Sequence, residues 1–302
     1  AISLASLWRA LRPGAFTLPF GLGAVLVAPL AAAGLELFWS PGLVLGAYTW
    51  AMHLLALAGL MTVFALRFAA LDGEDRRRVA HATLSALSLI ALALFLVTTK
   101  TALTLALAVL VVVAAALDRR FRLPEMSLFV QVGVAVLGYR LLADPGLGFA
   151  LEAPLAQVLL AFAGVIAAAL AALWLLQGLE RPMAKGVLES AAAGFGAILL
   201  NVLITRWLMP EIGSGGGGPD RSETHWGITL NALPWLVLML MQVYRARLGG
   251  PMKRLRQVIA TLAGLGAAGG LALAAGPMNP LFSWGPENEG GLVKGPPVLD
   301  TL

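Results

Sequence analysis

Nine apolar runs, each close to the roughly 20 residues that a helix needs to cross a bilayer, dominate this sequence. They cover approximately residues 16–33, 42–66, 80–98, 101–117, 126–143, 154–177, 187–209, 228–244 and 258–276. Of 302 residues, 59% are apolar and only 12% charged, with mean hydropathy +0.86. Soluble domains carry about a quarter of their residues as charges, so a hydrophilic shell cannot be completed here and the chain must find an apolar solvent. The 34 glycines and 17 prolines fit that solvent, because membrane helices tolerate both. The expected fold is all-α: a polytopic transmembrane helix bundle over residues 1–276, then an outer-face tail at 277–302 leading towards a further helix.

Only the TTKT step at 98–101 separates the third run from the short fourth, and the basic residues decide between one helix and two. With nine spans, one set of alternate segments holds Arg9, Arg12, Arg67, Arg76, Arg77, Arg78, Arg119, Arg120, Arg122, Arg181, Lys185, Arg245, Arg247, Lys253, Arg254 and Arg256. The other set holds Lys100, Arg140, Arg206, Arg221 and Lys294. Sixteen against five is a strong bias, and merging the two runs would erase it. The positive-inside rule therefore favours nine spans, a cytoplasmic N-terminus and an outer C-terminal tail. The net charge of +5 then reflects topology and attraction to anionic lipid rather than nucleic-acid binding. Trp8, Trp39, Trp174, Trp207 and Trp226 fall near span ends, at headgroup level. Trp50 and Trp235 lie deeper and read as packing residues. Ala1 at the start and VLDTL at 298–302 lead to the expectation of a fragment of a longer polytopic protein.

Chemical motifs are sparse. With no cysteine, disulfides, thiolate nucleophiles and cysteine-held metals are excluded. GLGAAG at 264–269 matches the dinucleotide fingerprint in letters, yet it has neither the preceding strand nor the following acidic residue that would give it meaning. Close helix packing through Gly266 and Gly270 is the better reading. GSGGGG at 213–218 reads as a flexible linker. His53, His81 and His225 fall at different depths and cannot share a metal, and no cofactor or metal is expected.

The intramembrane polar residues are His53, Glu189 and Asn201, functional suspects by default because a charge at the bilayer centre costs at least about 2.5–3.5 kcal/mol. His53 reads as a packing histidine bonded to nearby backbone. Glu189, about 3 Å inside its run by helical rise, lies on a small-residue face with Ala192, Ala193 and Gly196. That face lets a partner helix approach and bond the carboxylate. Arg140 and Arg206 stand at the outer face against the charge bias. They are candidates for binding an anionic lipid or phosphate, against the plainer reading of snorkelling side chains paired with Asp144, Glu152 or Glu211.

YRLLADP (139–145), LERPMAKGVLESAAAG (179–194), NPLFSWGP (279–286) and KGPPVLDTL (294–302) resemble the bacterial membrane family called domain of unknown function 2339 over roughly the second half of the chain. The resemblance implies a long multi-helix protein of the bacterial inner membrane and transfers no catalytic residue.

Three functions are compatible with these features. The leading expectation is an envelope-associated inner-membrane bundle binding lipid or another membrane protein. The second is an outer-face enzyme acting on polyprenyl-phosphate-linked sugars. It would use Glu36, in the loop GLELFWSP at 34–41, as base, and Arg140 and Arg206 as phosphate ligands. The third is a secondary transporter, for which Pro19, Pro29 and Pro234 supply broken helices but no internal repeat is evident.

Overall fold

The computed structural model describes residues 5–6, 8–9, 17–209, 222 and 224–279. Arg12, Glu211, the GSGGGG linker, Arg221 and residues 280–302, which include most of the expected outer tail, lie outside the described residues. The helices are α1 (Thr17–Trp39), α2 (Pro41–Leu45), α3 (Ala47–Leu71), α4 (Arg77–Val97), α5 (Lys100–Phe121), α6 (Met126–Leu142), α7 (Gly146–Glu152), α8 (Leu155–Leu175), α9 (Pro182–Leu208), α10 (His225–Arg247) and α11 (Lys253–Ala275). No strand occurs among the described residues. Among the described residues, eight helices are long and apolar enough to cross a membrane, and α6 with α7, bent by 55° at a short break, makes up to a ninth span.

The breaks have local causes. At 98–99 the backbone is extended and Lys100 is left-handed (φ 46°), so α4 and α5 are separate helices. The second run breaks earlier than its hydrophobicity suggests, because Ser40 (φ 46°) and Gly46 (φ 88°) isolate the five-residue α2. By contrast α1 continues through Pro29 to Trp39. Proline lacks the N–H that would bond the carbonyl four residues back. The Ser85 hydroxyl of α4 donates to that Val25 carbonyl instead, which is how a membrane protein repairs a proline-broken ladder.

The chain divides into two compact units, residues 1–137 with 168–185, and residues 138–167 with 186–302. In the first, α3 presents Trp50, Leu54, Ala58, Met61, Ala65 and Phe68, a three- and four-residue spacing that makes one apolar stripe. This stripe packs on Ala82, Ala86, Leu89 and Ala93 of α4 and on Ala24, Val25 and Ala32 of α1. Alanine on two of the three faces brings the backbones close, the usual solution where lipid tails give helices no hydrophobic reason to associate.

The second unit centres on α9, α10 and α11. Ala197, Leu238 and Ala263 form its buried cluster, with Trp235 and Met239 against it. GLGAAG is helical and serves packing, with Gly270 in close contact as expected but Gly264 in the place expected of Gly266. Gly264 faces Met239 and Gly270 faces Ala232 and Ile228, whereas Gly266 has only Trp235 at 4.0 Å.

Candidate functional site

Polar side chains gather at both ends of α9 within the second unit. Seventeen residues separate Glu189 from Arg206, about 26 Å at the helical rise and close to a hydrocarbon thickness of about 30 Å.

In the last turn of α6, Arg140 is only 4% exposed, and its Nη1 donates to Asp144 Oδ2 at 2.6 Å. Arg206 takes other partners than the carboxylates expected from sequence. Its Nη1 lies 2.9, 2.8 and 2.8 Å from the carbonyls of Ala150, Leu151 and Ala153, which places a cation on the orphan carbonyls at the end of α7. Asn201 Nδ2 donates to the Asn231 carbonyl at 2.6 Å, and Thr205 Oγ1 to Asn231 Oδ1 at 3.1 Å. This ladder ties α9 to α10 one turn before Pro234. Trp207 and Trp226 stack edge-on, their centroids 5.9 Å apart.

At the other end, Glu189 accepts from Arg256 Nη2 at 2.9 Å and lies 3.4 Å from Arg245 Nη1. Because α9 begins at Pro182, Glu189 is about 10 Å into its helix rather than about 3 Å. Gly186 makes the approach possible, since a Cβ there would overlap Met252 and come within 3.7 Å of Arg256. The carboxylate is thus met by guanidinium groups from α10 and α11.

In the first unit, His53 is exposed and its Nδ1 lies 2.7 Å from the Thr49 carbonyl. Glu36 is not in an outer loop. It belongs to the last turn of α1, half-buried, with Oε2 lacking a hydrogen-bond partner. The three residues assigned to an outer-face catalytic site fall in different units, Glu36 in the first and Arg140 and Arg206 in the second. No cluster of three or more metal-ligating side chains occurs among the described residues.

Sequence reasoning treated the basic turns as topology signals and missed their partners. Asp118, fully buried, receives both Arg181 Nε (2.9 Å) and Nη2 (3.0 Å). Arg78 Nε donates to Asp72 Oδ2 at 2.8 Å while its guanidinium lies 4.4 Å over the Phe68 ring, in space left by Gly21. An acidic residue beside two of the basic turns, Asp72 before the arginines at 76–78 and Asp118 before those at 119, 120 and 122, was the available signal.

Also missed was an apolar groove of about 470 Å³ in the first unit. It is lined by Pro29 and Ala33 of α1, residues from Leu84 to Phe95 of α4, Leu107 to Val111 of α5, and Leu128 to Val136 of α6. Its size lies within the range of small-molecule sites. The few polar groups around it suit hydrocarbon rather than a polar substrate.

A family model described as "Predicted membrane protein (DUF2339)" matches residues 2–302. The chain belongs to this family. The match extends the resemblance seen in the second half of this DUF2339 chain to the first. No curated protein and no solved structure matches the chain.

Proposed function

We propose that this DUF2339 protein is a lipid-binding helical bundle of a bacterial plasma membrane. The groove bounded by α1, α4, α5 and α6 would be the seat of an acyl chain. The observation that carries this reading is the groove's lining, built almost wholly from Leu, Val, Phe and Ala. A bilayer offers such a surface one abundant occupant. Photoactivatable acyl phospholipid reconstituted with the chain should label the groove residues Leu92 and Val132, and Ser88→Trp should lower that labelling several-fold. Lipid-facing Leu66, 67% exposed, should label equally in both proteins. Equal labelling of Leu92 and Val132 with and without Ser88→Trp would overturn the groove as a site.

The same reading puts the amino end in the cytoplasm, supported by the sixteen-to-five charge bias. In the first unit the basic turns also meet at one end, for Arg76 Nη1 donates to the Phe121 carbonyl at 3.1 Å and Arg181 pairs with Asp118. Because the chain has no cysteine, single cysteines can be placed without background. Cysteine at Glu74 should react with an impermeant maleimide only from the cytoplasmic side, and cysteine at Ser222 only from the outside. Reaction of both from one side would refute this topology.

A further inference from the structure

Beyond the groove, the first unit holds a second concavity of about 450 Å³ with the opposite chemistry. It is lined by Glu74, Arg76 and Arg77 from the α3–α4 connection, and by Arg120, Phe121, Arg122, Pro124 and Glu125 from the α5–α6 connection. Four guanidiniums against two carboxylates leave two net positive charges. Arg76 is anchored on the Phe121 carbonyl, and Arg77 lies 3.9 Å from exposed Asp75. Arg119, the neighbouring arginine, is turned away and stacks 4.9 Å over Trp174. Arg120 and Arg122 are exposed and have no protein partner among the described residues.

The backbone supplies an independent observation. Arg122 sits at the α5 C-cap with φ 57° and ψ 52°, a left-handed position where glycine is the usual occupant. A non-glycine residue there is strained, and such strain clusters at sites where side chains serve function. A guanidinium is kept where glycine would be easier.

We infer that this concavity binds the phosphate of an anionic phospholipid whose acyl chain enters the groove, so that one lipid occupies both. The inference rests on the groove reading and adds its headgroup. Helices α4 and α5 contribute to both sites, α6 begins directly after Glu125, and axial offsets join the two concavities. Arg77 to Leu84, Arg120 to Val111 and Glu125 to Leu128 span about 5–14 Å at the helical rise, comparable with a headgroup layer of about 5–7 Å per leaflet plus the first methylenes. Guanidinium groups match phosphate oxygens in bidentate geometry, and basic pockets at the cytoplasmic ends of membrane helices are suited to such headgroups.

The test uses the full chain in neutral detergent, titrated calorimetrically with dioctanoyl phosphatidate, dioctanoyl phosphatidylcholine and inorganic phosphate. Phosphatidate should bind at least tenfold more tightly than phosphatidylcholine, and the double variant Arg120→Ala, Arg122→Gly should abolish that preference. Arg122→Gly relaxes the left-handed backbone, so it should hold or raise stability while weakening binding, which separates lost recognition from lost folding. Preference retained in the double variant, or equal binding of the two lipids to the parent chain, would overturn the headgroup site. Inorganic phosphate binding as tightly as phosphatidate would make the ligand a free phosphate and overturn the lipid assignment. Ser88→Trp should weaken both lipids alike; if it changes neither while the double variant still abolishes the preference, the groove fails and the phosphate site stands.

Discussion

Arg181→Ala is expected to destabilise the protein by about 3–5 kcal/mol, the cost of leaving one member of a buried ion pair without its partner. Asp118 is fully buried, and two parallel N–H donors from Arg181 satisfy both of its oxygens. Truncating the arginine leaves a carboxylate with neither water nor cation. Arg181→Lys should recover only part of the loss, because an ammonium cannot reproduce the paired geometry. Replacing both residues with leucine should cost less than Arg181→Ala alone, since an apolar pair carries no desolvation penalty. The loss of helical ellipticity of each variant in dodecyl sulfate mixed micelles measures all three, and Arg181→Ala within about 1 kcal/mol of the parent would refute the buried pair.

The second large effect is expected at Arg206. Its Nη1 faces three carbonyls at the end of α7, and hydrogen bonds to a charged group contribute about 1.5–3 kcal/mol. An Nη nitrogen carries only two protons, so the three contacts share two donors. Arg206→Ala should therefore cost about 3–6 kcal/mol on that scale. It should also raise amide hydrogen exchange across α7 and at Ala153, while α10 and α11 keep their protection. An ammonium has three donors, so Arg206→Lys should preserve most of the protection. Uniform deprotection of the whole second unit in Arg206→Ala would show a global role instead.

Membrane character, helical class and approximate spans were legible because they depend on composition summed over about 20 residues, an average that no single contact can reverse. Helix ends were less legible. Trp39 rather than Ala33 ends α1, and Pro182 rather than Val187 begins α9; a helix continues into polar sequence when capping or tertiary contacts satisfy it. Those shifts moved Glu36 from a loop to a helix and put Glu189 about two turns into its helix. Local partners of the polar residues were predictable, since His53 meets the Thr49 carbonyl and Arg140 meets Asp144, whereas distant ones were not. Glu189 finds Arg256, 67 residues away, and Asn201 finds the Asn231 backbone.

Sequence alone determined the solvent, since 59% apolar residues in long runs can be buried only in hydrocarbon, and it determined the alternation of base-rich and base-poor turns along the chain. Tertiary structure alone decided which charges are neutralised and which stay open. Asp118 and Arg181, or α4, α5 and α6 around a common groove, meet through folding of distant segments. Hydropathy is a property of each residue in its window, whereas a cavity or an ion pair is a property of neighbours that only packing assigns.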